Sequence, residues 1–220
     1  MKKFELTAEF VTNVFGKKLF RIKALVAFGD VSAGELGGFV EKEENLSNNG
    51  NAWVSGNAWV SGDAQVSGNA WVSGNAWVSG DAQVYGDAQV SGDAQVSGDA
   101  QVYGDAQVYG DAQVYGNAWV SGNACVYGDA RVSGDARVYG DADYAVVTGF
   151  GHCFRATTFF RCKDKILRVQ CGCFYGDLAK FREIVKKTHG DSKYAKEYLA
   201  IADLMELHFS DEEEKQEADE

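Results

Sequence analysis

Fifteen hexads follow one another without interruption from Gly50 to Tyr139, each of the form Gly-(Asn/Asp)-Ala-x-Val-(Ser/Tyr), and a sixteenth begins at Gly140 and breaks after Asp141-Ala142. A repeat this strict cannot set one unique reactive group at one unique spot. It sets the same group again at a fixed interval, which favours surfaces and stacks over an active site. Within a hexad Ala and Val stand two apart, so on an extended segment they share one face while x takes the other. The x position holds Trp, Gln, Arg and a single Cys. Enclosing Gln or Arg in a narrow tube would leave polar groups without partners at roughly 2–7 kcal/mol each, which assigns Ala and Val to the inside. Gly-Asn and Gly-Asp then mark corners, where a positive φ is required or costs little.

In this phase the repeat resembles the hexapeptide repeat of left-handed parallel β-helices, in which three hexads make one triangular coil. The resemblance implies a mainly β protein with about five regular coils, a rod of roughly 24 Å at ~4.8 Å per strand spacing, and a left-handed crossover against the usual chirality rule. Eighteen residues per turn define three columns of x residues: Trp53, Trp71, Gln89, Gln107 and Cys125; Trp59, Trp77, Gln95, Gln113 and Arg131; Gln65, Gln83, Gln101, Trp119 and Arg137. Like stands on like, so aromatic stacks and Gln amide ladders are expected. Asp63, Asp81 and Asp99 form a column as well, unfavourable unless the carboxylates splay into water at a corner.

The ends of such a rod need covers, because they leave strand edges unpaired and the core open. Residues 1–49 read as an N-terminal β cap: a hairpin turning at Gly16-Lys17-Lys18, then Val40 and Leu46, twelve and six residues before Ala52, as a degenerate coil. The β-helix itself is assigned to 50–143. Residues 144–209 read as a small α+β unit, with two strands about a Lys163-Asp164-Lys165 turn, a helix capped by Asp177 and stopped by Gly190, and a second helix to about Phe209. Residues 210–220 read as an acidic tail.

Charge bounds the partners. The net −11 is concentrated in the repeats and the tail, a distribution that repels nucleic acid and anionic membrane, so neither is expected as a direct partner. Met-Lys-Lys opens the chain, but Glu5 and Glu9 follow and no apolar stretch suits a signal peptide or a bilayer span. Five cysteines, an odd number, fit free thiols in a cytoplasmic protein.

Proteins with this hexapeptide repeat include acyltransferases and zinc carbonic anhydrases, whose chemistry needs histidine as base or as metal ligand. Residues 1–151 contain none, so no catalytic residue and no cofactor is assigned. Cys153, Cys162, Cys171 and Cys173, with His152 and His189, are the only metal-like set, and their spacing is not that of a structural zinc site. His152, Arg155, Thr157, Thr158, Arg161 and Arg168 form a basic, hydroxyl-bearing group suited to a phosphate or carboxylate. Trp53, Trp59, Trp71 and Trp77 crowd two adjacent faces of the first coils and are expected at an interface, covered by the N-terminal cap or by another copy of the chain. The whole resembles the bacterial and phage hexapeptide-repeat proteins that have no established activity. The expectation is therefore a non-enzymatic binding or scaffold protein, oligomeric, engaging a protein partner; a phage-encoded inhibitor of a host factor is one concrete form. An acidic DNA mimic and an acyltransferase-like enzyme are the alternatives.

Overall fold

The computed structural model describes residues 2–210, and the acidic segment 211–220 lies outside the described residues. Three strands open the chain, β1 (Phe4–Thr12), β2 (Lys18–Ala24) and β3 (Leu36–Val40); every hexad then contributes its x-Val pair as a two-residue strand, from β4 (Trp53–Val54) to β18 (Arg137–Val138). Each of the first twelve, to Trp119–Val120, pairs in parallel with the strand eighteen residues on, Val over Val and x over x. The result is a β-solenoid with three sheets along its length. Every Ala from Ala52 to Ala136 and every Val from Val54 to Val138 is fully buried, whereas Gln83 and Arg131 face solvent.

The corners explain the invariant glycine. From Gly50 to Gly134 these glycines hold φ between +60° and +75°, a region that costs an L-residue about 1–2 kcal/mol. They also stack: a Cβ on Gly68 would lie 2.9 Å from the backbone N and O of Gly86. Gly140 has φ −161°, and there the repeat ends.

The side-chain ladders form at the corners and not on the faces. Asn51 Nδ2 donates to Asn69 Oδ1 at 3.1 Å, Asn69 Nδ2 to Asp87 Oδ1 at 3.0 Å, and Asn75 Nδ2 to Asp93 Oδ1 at 3.0 Å. Among the described residues no Gln amide bonds the Gln above it, contrary to the expected Gln ladders; a planar amide on a flexible stem reaches water more readily than its neighbour. The faces instead use a diagonal contact sixteen residues apart, as in Trp71 Nε1 donating to Ser55 Oγ at 3.1 Å, and tyrosines stack where two fall in one column, Tyr85 on Tyr103 at 4.9 Å.

Strand polarity fixes what each end needs. The N–H groups of one coil donate to the carbonyls of the next, as in Trp53 to Ala70 at 3.0 Å, so the first coil is left with free carbonyls and the last with free N–H groups. At the N-terminal end β3 and its extension supply N–H groups, the Asn45 amide donates to Gly62 and Ala64 carbonyls, and the buried Lys3 ammonium donates to the Ala52 carbonyl at 2.7 Å. At the other end acceptors take over: the Asp141 carboxylate takes the Cys125 N–H, the Thr158 hydroxyl oxygen the Arg131 N–H, and the Asp143 carboxylate the Tyr139 N–H.

The degenerate coil is real but shifted. Val40 pairs with Val60 and Leu46 bridges to Val66, twenty residues on and in the Val column, not the Ala column that their spacing to Ala52 implied. The two extra residues lie between Leu46 and Ala52, where Asn48 Oδ1 accepts the Lys3 N–H at 2.8 Å. The hairpin turn also moves: Asn13 caps it through the Phe15 and Lys17 N–H groups, and Lys18 already belongs to β2.

The C-terminal sheet has four antiparallel strands where two were expected: β19 (Tyr144–Val147), β20 (Thr157–Arg161), β21 (Leu167–Cys171) and β22 (Phe174–Asp177). The first continues directly from the broken hexad and the last runs into the helix cap, so neither carries its own turn signal. Helices α1 (Leu178–His189) and α2 (Lys193–His208) follow, with Asp177 Oδ1 accepting the Lys180 N–H at 2.7 Å. Alternation along β20 divides the unit: Phe160 joins the rod's core and Phe159 the core beneath the helices.

Candidate functional site

That alternation disperses the six-residue anion set. Thr158 turns to the rod and caps the Arg131 N–H; Thr157 turns to the helices and donates to Cys171 Sγ at 3.2 Å. Arg161 donates to the Phe209 carbonyl at 2.9 Å, and Arg168 pairs with Asp164 at 2.6 Å. His152 and Arg155 line one cavity together, because they lie in the loop between β19 and β20 and escape strand alternation, whereas Arg168 lines a different pocket with Asp135, Lys163 and Tyr175.

The loop is held at one end and free at the other. Gly151, φ +72°, sits against the Tyr198 ring so closely that a Cβ there would overlap it, and its N–H donates to Glu197 Oε2 at 2.9 Å. Burial and the neighbouring Cys171 thiol push the Tyr198 hydroxyl up to about 12. Three residues on, Phe154 adopts φ +51° with its ring 68% exposed. Between this loop and the last coils opens a cleft of about 630 Å³, walled by Asp111, Asp129 and Arg131 of the rod and by Phe154, Arg155 and Cys173 of the C-terminal unit.

The cysteines divide: Cys153, Cys171 and Cys173 line one cavity with His152 and His189, while Cys162 stands apart. Cys162 is buried at the rod junction against Tyr175, and burial pushes its thiol up. Cys153 lies in the loop before β20, and its Sγ is 3.5 Å from His152 Nδ1. Cys171 and Cys173 flank the turn into β22. Among the described residues no three His, Cys, Asp or Glu side chains are arranged to hold a metal ion.

The tryptophans are covered to different degrees. Trp53 is fully buried under the N-terminal cap, with the Phe28 ring edge-on at 5.5 Å, and its Nε1 has no partner. Trp59, Trp71 and Trp77 are half-buried; Trp59 and Trp77 meet at 72°, edge to face and not as a flat stack. The surface feature that the sequence reading missed is the hairpin tip, where Val14 and Phe15 are 87% and 76% exposed. The loop aromatic Phe154 was missed too. Both lie in irregular segments with no periodicity to mark them.

Residues 64–80, 82–98, 106–122, 112–128 and 130–142 match the family model described as the YdcK beta solenoid repeat. All of these segments lie within the hexads and their immediate end, and with the coil geometry they make this chain a β-helix repeat protein. No curated protein matches the chain. No helix among the described residues is long and apolar enough to cross a membrane.

Proposed function

We propose that this β-helix repeat protein is a non-enzymatic binding or scaffold protein that takes a protein partner in the cleft between its rod and its C-terminal unit. The observation that carries the reading is Phe154. A bulky side chain held at positive φ is strained by about 1–3 kcal/mol, and such strain clusters at ligand contacts. Here the strained residue presents an exposed aromatic ring at the mouth of the cleft, the residue type that anchors protein interfaces. Asp111 and Asp129 on one side and Arg131 and Arg155 nearby offer both signs of charge to a polar rim. The cleft lies at the last two coils of the rod and the Val14-Phe15 tip belongs to the N-terminal sheet before the first coil, a geometry suited to holding two partners or two copies of the chain.

The test is capture of a partner from cell extract on the immobilised full chain. Wild type is expected to retain a partner that Phe154→Ala and Arg155→Glu lose and Val14→Ser keeps. Equal retention by Phe154→Ala would remove the cleft from the proposal. Acetyl-coenzyme A serves as the counter-probe: a rise in melting temperature with that ligand would favour the acyltransferase alternative and overturn the non-enzymatic reading.

A further inference from the structure

Behind the loop, on the helix side of the C-terminal sheet, lies a second cavity of about 250 Å³. Its floor is apolar, made by Phe174, Phe181, Ile184 and Val185. Two of the chain's three histidines, His152 and His189, reach its lining from separate elements, the loop and the end of α1. Arg155 completes the polar side, and the lining contains neither Asp nor Glu.

Arg155 stands apart from the unit's other buttressed arginines. Arg168 is paired with Asp164, and Arg182 with Asp203 and Glu206, whereas no carboxylate pairs with Arg155 among the described residues. The fold makes room for its guanidinium: Nη1 lies 2.8 Å from where a Cβ on Gly172 would be, so any other residue there would push it away. A permanent cation beside two imidazoles, over an aromatic and aliphatic floor and without a counter-ion, is complementary to an anion with an apolar body.

Volume limits the size of that anion. The cavity has room for about eight waters at ~30 Å³ each, a volume matched by the body of a small organic acid. We propose that it binds a small free organic acid, a carboxylate on an aromatic or branched aliphatic group, with the apolar end on Phe174 and Phe181 and the carboxylate on Arg155 between His152 and His189. The cavity adjoins the cleft and shares Cys153, Arg155 and Cys173 with it, whereas Ile184 and Val185 line the cavity and not the cleft and so tell the two readings apart.

Phenylacetate titrated into the full chain, followed by the Val185 methyl resonances, tests it. A saturable shift is expected, with phenylacetamide about tenfold weaker, since it lacks the charge that Arg155 recognises. Arg155→Gln, an exposed change that leaves the core untouched, is expected to weaken phenylacetate binding about tenfold as well. Ile184→Trp fills the cavity from its partly exposed side and is expected to abolish binding while partner capture stays at the wild-type level. Absence of a saturable shift at Val185, equal binding of acid and amide, or unchanged binding by Arg155→Gln would each overturn the proposal. Should Ile184→Trp fail to fold, the Arg155→Gln and amide arms decide it.

Discussion

At the scale of the residue, the corner glycine performs two tasks that substitution can separate. At Gly86, φ +75°, a Cβ would lie 2.9 Å from the Gly104 nitrogen; at Gly128, φ +62°, it would meet nothing within 4 Å. Gly128→Ala is therefore expected to cost only the left-handed backbone term, about 1–2 kcal/mol, and Gly86→Ala that term plus about 1–3 kcal/mol of overpacking. Urea midpoints of the two variants check the difference, and equal midpoints would mean that stacking contributes nothing. Lys3 makes a second prediction at this scale. Its ammonium is buried between the Ala52 carbonyl and the Phe28 ring, 4.5 Å from the centroid, and burial pushes its pKa down to about 8. Above pH 8 the folded chain holds Lys3 neutral while the unfolded chain keeps it protonated to about its ordinary 10.5. The unfolded state then binds more protons, so this group adds stability as pH rises. The buried Cys162 thiol and the Tyr175 and Tyr198 hydroxyls, pushed up in the fold, act in the opposite sense. They cancel when wild type is compared with Lys3→Met, and the stability difference between the two should move toward wild type from pH 8 to pH 10. A difference that stays flat across that window would show that Lys3 keeps its ordinary pKa.

At the scale of the element, the rod and its two covers obey one rule about direction. Parallel coils leave carbonyls at one end and N–H groups at the other, and the covers bring donors to the first and acceptors to the second. Thr158→Val keeps the shape of the side chain and removes the acceptor for the Arg131 N–H, 3.0 Å away. It is expected to cost about 1–3 kcal/mol, the cost of an unsatisfied buried donor. Arg131 amide exchange should accelerate selectively, and unchanged protection would refute the capping role. This rule also explains what was legible in the sequence. The period of the hexads determines which side chains face inward, which column each x residue joins and where the glycines turn, because every one of those features repeats. The covers are built from single residues whose partners lie far away in sequence: Lys3 to Ala52, Asn45 to Ala64, Thr158 to Arg131. No local pattern announces them. The same holds for the candidate site, where the composition of residues 152–168 drew attention to the C-terminal unit but strand alternation sent Thr157, Thr158, Arg161 and Arg168 to separate tasks. His189 and the α1 side chains joined the cavity through packing alone. The two-residue slip of Val40 and Leu46 has a similar origin, since the insertion near Asn48 is fixed by the Lys3 backbone and not by any neighbour in sequence.

At the scale of the molecule, a rod of near-identical hexads behaves as a spacer whose length and twist are set by counting. Three hexads make a coil, so removing Gly86–Tyr103, one whole turn, should shorten the rod by about 4.8 Å and leave every x residue in its former column. Removing only Gly98–Tyr103 keeps Ala and Val inside, since each hexad has the same inward pattern. It also leaves both covers on the coils they already touch, because their contacts are confined to the rod's ends. What changes is orientation: the C-terminal unit should turn about the rod axis by a third of a revolution relative to the N-terminal sheet. Nearest-neighbour stacking predicts that both deletions fold, with only modest loss of stability, because each coil contacts only the coils beside it. Residual dipolar couplings from the β1–β2 hairpin and from α1 and α2 measure the angle directly. A six-residue deletion that preserved the mutual orientation of the ends, or that failed to fold where the eighteen-residue deletion succeeded, would mean that the columns, and not the Ala-Val interior, dictate the coil. If partner capture at the cleft survives both deletions while any contact through the Val14-Phe15 tip survives only the eighteen-residue one, the rod's phase is part of its function.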